Sequence, residues 1–209
     1  MAKRFLVPIS PGRPFSSLLW ALLLLALPGC LASSGPVFTQ LTAAPEKPMC
    51  RIAVLPLLNH TDFIQGGTIF YRIFMAELNQ RPGFTVIQEG DIRAIYRQLR
   101  INPRSAPSHE QTLVLADRLK ADALISGEII TMRENRGAKE TKPVLAVNLT
   151  LTPAGADKPM LTTYHRRSGE DYRKIMHFGL VNTMTSLAAL VADEILDLWQ
   201  AHGLTPCAS

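Results

Sequence analysis

Arg51-Ile52-Ala53-Val54-Leu55-Pro56-Leu57-Leu58 is a continuous apolar run, not an alternation of apolar and polar residues. A strand with one wet face alternates, whereas one buried on both faces does not, so this segment is expected as the central strand of a sheet covered on both sides. That requires helices on either flank, and the chain that follows supplies them. Asn59-His60-Thr61-Asp62 turns the chain, and Gly66-Gly67-Thr68 leads into a helix carrying Ile69, Phe70, Ile73, Phe74 and Leu78, stopped by Arg81-Pro82-Gly83. A short strand over Phe84 to Gln88 precedes Ile92, Ile95, Tyr96 and Leu99, which recur at helical spacing from a cap at Asp91. Ser108-His109-Glu110-Gln111 reads as a capping box for a third helix through Leu115, Ala116 and Leu119.

The second half is richer in strands. Asp122 to Met132 returns as a strand and Arg133 to Lys142 as a charged loop. Val144 to Thr152 alternates, with Leu145, Val147, Leu149 and Leu151 on one face and Ala146, Asn148 and Thr150 on the other. Met160 to Arg167 is a polar, edge-like partner for it. After Ser168-Gly169-Glu170-Asp171, a long amphipathic helix carries Leu180, Met184, Leu187, Val191, Ile195 and Leu198 on one stripe and ends at Gly203. The expected fold class is α/β, an α+β sandwich with a mixed sheet of about five strands packed by helices.

Upstream of the central strand the composition changes. Lys3, Arg4 and Arg13 precede an apolar run from Phe15 to Leu27 that includes four consecutive leucines, and Leu27-Pro28-Gly29-Cys30 closes it. Those are the parts of a secretory signal. The run falls short of the ~20 apolar residues that a bilayer span needs. Three of the 22 basic residues and none of the 17 acidic ones lie in this leader, which leaves 19 against 17 and no charge argument for nucleic acid. Leu31 to Met49, with its scattered Ser, Gly and Pro and no apolar period, reads as a tether.

Leu27-Pro28-Gly29-Cys30 resembles the lipobox of bacterial lipoproteins; Leu27, Gly29 and Cys30 match, and Pro28 stands where the usual residue is small. The resemblance implies acylation of Cys30 with palmitate-type chains, removal of residues 1–29, and, with Leu31 in place of Asp after the Cys, sorting to the outer membrane with the domain facing the periplasm. The resulting organisation is a signal over 1–29, a tether over 30–49, a single domain over 50–203 and a tail over 204–209. Once Cys30 is acylated, Cys50 and Cys207 remain in an oxidising compartment. They either bridge the two ends of the domain or stay as two free thiols.

The runs Arg51 to Asn59, Phe84 to Asp91 and Leu115 to Glu128 resemble the domain shared by CsgG-like secretion lipoproteins, the TolB amino-terminal domain, PelC and LpoB, over Cys50 to about Trp199. Such relatives secrete curli, assist polysaccharide export or activate a cell-wall synthase, and fold does not choose among them. A pore would need hairpins of ~9 to 11 alternating residues per strand. Arg133 to Lys142 is too charged for one, and the second strand of the Val144 to Arg167 hairpin is too polar. An LpoB-like activator needs a long tether, and about 20 residues is short. The reading is a non-enzymatic, lipid-anchored, homo-oligomeric accessory in envelope assembly or secretion, with an envelope protein partner; the alternative is an LpoB-like, protein-binding activator.

For an enzyme, the five histidines are scattered and no HExxH, CxxC, phosphate loop or GxSxG pattern occurs. No cofactor or metal is called for. Asn59, His60 and Asp62 form the best polar cluster, at the end of the central strand where α/β sheets place ligands; the plainer reading is a solvated turn. Arg166 and Arg167 are neighbours on a strand and point to opposite faces. On the last helix, Leu190 and Trp199 lie beside the main stripe and are either core or a contact between subunits.

Overall fold

The computed structural model describes residues 35–136, 141–174 and 178–207. Cys30 and the whole leader lie outside the described residues. Within the described residues seven strands form one sheet: β1 (Val37–Gln40), β2 (Arg51–Val54), β3 (Leu58–Asn59), β4 (Thr85–Val86), β5 (Ala123–Arg136), β6 (Thr141–Pro153) and β7 (Leu161–Ser168). Among the described residues, four α-helices accompany them: α1 (Gly66–Gln80), α2 (Glu89–Gln98), α3 (His109–Leu119) and α4 (Met184–Ala201). The order across the sheet is β1-β7-β6-β5-β2-β4, with β3 pairing β5 beyond the end of β2. The class is mixed α/β, with more strands than the five expected. No helix among the described residues is long and apolar enough to cross a membrane.

The central strand is covered on both faces because its residues are apolar in both directions. Ile52 and Val54 point into the larger core, with Phe70, Phe74 and Leu78 of α1 and Leu187, Val191 and Ile195 of α4. Ala53 and Leu55 point the other way, to Ile92 and Tyr96 of α2 and Leu115 and Leu119 of α3. The strand pairs in parallel with β4 and β5, the hallmark of strands joined through helical crossovers. The other half of the sheet is antiparallel, from β5 through β6 and β7 to β1. There Leu145, Val147, Leu149 and Leu151 are fully buried, while Tyr164 on the opposite face is exposed. Helix α3 begins with the capping box expected of it: the Ser108 side chain accepts from Gln111 N, and Gln111 Oε1 accepts from Ser108 N at 2.9 Å.

Several boundaries differ from the expectation, each for a physical reason. Residues 37–40 of the expected tether form β1, because Phe38 packs on the core and ring-to-ring with His202 (centroids 4.3 Å apart), and the backbone finds an open partner in β7. Met49 is buried, its N–H donating to Thr205 O at 3.0 Å. Consequently β7 is not an edge. The expected charged loop over Arg133 to Lys142 is mostly ladder, with Arg133 opposite Val144 and Arg136 opposite Thr141; cross-strand hydrogen bonds do not depend on side-chain polarity. Ser168 caps a short 3-10 turn over Gly169–Tyr172, not the long helix. That helix starts later, at Met184 under a Thr183 cap, and leaves Leu180 outside it.

The expected tail is also part of the body. Leu204 is fully buried, and Cys207 N donates to Gly83 O at 3.1 Å. Cys50 and Cys207 form a disulfide with a Cα–Cα distance of 5.3 Å, closing a separation of 157 residues. Gly83 sits at φ +80°, and a Cβ there would meet Cys207 O at 2.5 Å, so only glycine lets this terminal strap lie against the turn.

Candidate functional site

The carboxyl ends of β2 and β3 open into a cavity of about 610 Å³ between the start of α1, the start of α2 and the loop before α3. Its position follows from topology: parallel strands end together, and the crossovers leaving them diverge, which opens a crevice. The Asn59 turn forms one wall. Asn59 Oδ1 accepts from Thr61 N (3.2 Å) and Thr61 Oγ1 (2.8 Å), and Asn59 Nδ2 donates to Phe63 O (2.8 Å). The loop is thus folded on its own side chains. His60 N continues the ladder by donating to Ile129 O (3.0 Å), and its ring reaches Glu128 with Nε2 2.9 Å from Oε2. Glu128 in turn accepts from Asn148 Nδ2 at 3.3 Å.

The opposite wall is charged. Glu89, the first residue of α2, is held by Arg93 one turn later and by Arg72 of α1 at 3.5 Å. Arg104, on the loop, makes no ion pair among the described residues. Tyr71 of α1 also lines the cavity; it is only 4% exposed, and its hydroxyl has no hydrogen-bond partner among the described residues. Burial, reinforced by the nearby Glu89 carboxylate, pushes that phenol well above the usual tyrosine range. The floor is the first turn of α1, where Gly67 approaches Leu57 so closely that a Cβ would lie 3.1 Å from Leu57 O.

The sequence-derived residues divide on this geometry. Asn59 and His60 both line the cavity. Asp62 is exposed on the turn and does not. Leu190 is half-buried on α4. Trp199 is fully buried, its Nε1 donating to Thr163 Oγ1 at 2.7 Å, so it belongs to the core and offers no surface to a partner. No group of three metal-ligating side chains gathers among the described residues.

A second polar cluster went unread in the sequence. On α4, Glu194 falls three residues after Val191 and four before Leu198, on the buried stripe. It accepts from Arg167 Nε (2.9 Å) and Nη2 (3.1 Å) and from Tyr172 Oη (3.0 Å), and it meets the His165 ring. Burial would raise its pKa, but the hydrogen bonds from His165, Arg167 and Tyr172 and the Arg167 charge outweigh burial and hold the carboxyl down at about 2. His165 is 1% exposed. A residue so enclosed has no route to a substrate, so this cluster ties β7 and the 3-10 turn to α4. The available signal was one carboxylate on an otherwise apolar stripe. The polar character assigned to β7 concealed it, because His165 and Arg167 face inward with Thr163 while Tyr164 and Arg166 face out.

The fold resembles those of solved bacterial proteins, one of them a lipoprotein. A point variant of the PelC dodecamer from Paraburkholderia phytofirmans superposes with a TM-score of 0.52 at 18% identity, covering 77% of this chain and 95% of that one. Lipoprotein GNA1162 from Neisseria meningitidis gives 0.52 at 13% identity, over 73% of this chain and 99% of that one. The LpoB C-terminal domain from Escherichia coli gives 0.44 at 12% identity, over 59% and 87%. At these identities the likeness is one of fold. No protein-family model and no curated protein matches the sequence.

Proposed function

We propose that this chain is a non-enzymatic, lipid-anchored lipoprotein of the outer membrane, facing the periplasm and serving as an oligomeric accessory in envelope assembly or secretion, in the manner of PelC. The observation that carries this reading is the Leu27-Pro28-Gly29-Cys30 sequence lying just upstream of a fold that bacterial lipoproteins share. The Cys50–Cys207 bridge supports it, since disulfides persist in the periplasm and not in the cytosol. Chain length supports the collar over a far-reaching activator. From Cys30 to the start of β1 at Val37 is about seven residues, at most about 25 Å when fully extended. That keeps the domain close to the leaflet that holds its lipid.

The test is the native mass of the protein extracted in mild detergent, alongside a Cys30→Ser form, with palmitate labelling of both. Labelled protein of ring-sized mass, with loss of label in Cys30→Ser, is expected. Replacing the half-buried Leu190 by Glu tests the α4 contact between subunits: a smaller assembly that still unfolds cooperatively supports it. A labelled monomer would remove the collar and leave the protein-binding activator. An unlabelled wild type would remove the anchor itself.

A further inference from the structure

The chain enters the described structure at one end of the sheet, and the side chains exposed there take no part in the core. Gly35 is five residues after Cys30, a stretch of at most about 18 Å when fully extended. β1 then runs antiparallel to β7 with Val37 opposite Tyr164, so the tether leaves toward the carboxyl end of β7. Register brings further segments to that end. Ser168, which closes β7, pairs with Val144 of β6, and Val144 pairs with Arg133 of β5; the 3-10 turn over Gly169–Tyr172 follows directly. Tyr164 is four residues short of Ser168, so the outlet of the tether lies within about 13 Å of the end of β7 along the strand.

What this end exposes is basic and apolar. Arg133, Arg166 and Lys174 are exposed and make no ion pair among the described residues. The acids nearby are matched within the end itself: Glu170 meets Lys142 at 2.6 Å and Arg173 at 2.8 Å, and Asp171 accepts from Ser168 N at 2.8 Å. Phe178 is 76% exposed and stands on a braced turn. Lys174 N donates to Phe178 O at 2.8 Å, and Gly179, at φ +82°, lies so close to the 3-10 turn that a Cβ would collide with Tyr172 O. Val37, beside the outlet, is 67% exposed. An exposed phenylalanine beside unpaired cations is unfavourable in water and favourable at a lipid headgroup boundary, where the ring is buried and the cations meet phosphates.

We propose that this end of the domain rests on an anionic phospholipid surface, with Phe178 entering the headgroup boundary and Lys174, Arg133 and Arg166 facing lipid phosphates. The proposal rests on the lipid-anchor reading and adds an orientation to it. The anchor keeps the domain near a leaflet, and this surface decides which end faces it. Two observations select lipid as the occupant: a cationic end with an apolar tip complements an anionic bilayer, and the short chain from Cys30 leaves from that same end. Each cation near such a surface raises partition about fivefold, so Lys174, Arg133 and Arg166 together fix an orientation that acyl chains alone leave free. Leu41, whose N–H donates to Met160 O beyond the start of β7, then points away from the membrane.

The experiment reconstitutes the full lipidated chain into phosphatidylcholine vesicles with and without phosphatidylglycerol. Phe178→Trp is read by its fluorescence against lipids brominated near the headgroup, and wild type, whose Trp199 is buried, supplies the background. The control is Leu41→Trp, an exposed position about 26 Å from the end of β7 along the strands. In phosphatidylglycerol vesicles the Phe178→Trp indole should shift to the blue and lose about half its emission, while Leu41→Trp changes little. Lys174→Glu combined with Arg166→Glu should reduce the quenching severalfold without changing flotation with the vesicles, which reports the anchor alone. Flotation without quenching of Phe178→Trp, equal quenching of Leu41→Trp, or indifference to phosphatidylglycerol and to charge reversal would overturn the surface and leave the anchor standing. A blue shift without quenching would put Phe178 against a second copy or another protein, and overturns it as well. No flotation at all removes the anchor and the proposal with it.

Discussion

Replacing Glu194 by Gln removes one charge from the buried knot that joins α4 to β7, keeps the shape, and should make stability less dependent on acid. In the folded protein the carboxyl titrates at about 2, against 4.5 for an unperturbed glutamate. At 1.36 kcal/mol per pKa unit that gap is worth about 3 kcal/mol; the quarter of the side chain open to solvent screens it to about 2 kcal/mol. The folded value is the lower one, so the unfolded chain binds the proton more tightly. The contribution is therefore complete above pH 4.5 and is lost as pH falls from about 4.5 to about 2. Urea unfolding under non-reducing conditions at pH 7 and at pH 2.5 measures this directly. At pH 7 the variant should be less stable by about 2 kcal/mol, because the neutral amide no longer offers Arg167 a charged acceptor. At pH 2.5, still above the folded value but well below the unfolded one, the folded protein keeps most of the charge while the unfolded chain has taken up the proton. Most of the linked stability is then gone, and the difference should shrink below about 1 kcal/mol. A gap that stays constant between the two pH values, or none at pH 7, would refute the account of Glu194 as the ionised centre of the cluster.

The disulfide and the buried tryptophan give two further expectations. Cys207→Ser opens a loop of 157 residues, for which the chain-entropy model gives about 5 kcal/mol; guanidinium unfolding of wild type with and without reductant should reproduce most of the variant's loss. Trp199→Phe deletes the indole N–H that Thr163 Oγ1 accepts and should cost about 2 to 3 kcal/mol. Adding Thr163→Val should then cost less than it does in wild type, because the hydroxyl has already lost its donor, and a double-mutant cycle reads that coupling.

What the sequence determined by itself was whatever depends on neighbours in the chain. The unbroken apolar character of Ile52 to Leu55 requires two covered faces, and that places helices on both sides of β2. The alternation of Leu145 to Leu151, the Ser108 capping box and the helix stop before Gly83 are equally local, so they were legible. Asn59 and His60 could be placed at a strand end, where a site would form, from the same pattern.

Tertiary structure decided what depends on residues far apart. Val37 to Gln40 has no strand signature of its own; it is a strand because β7 presents an open row of backbone groups beside it. Thr163, His165 and Arg167 look like residues of a wet edge until α4 brings Glu194 and Trp199 over them, at which point the same polarity becomes a buried network. Trp199 stayed open between core and subunit contact for the converse reason, since the helical period does not say how wide a face the sheet will cover. In the cavity, Tyr71, Arg93 and Arg104 converge from three separate elements. No spacing along the chain encodes that convergence, because it arises only when the parallel strands end together and the segments leaving them splay apart.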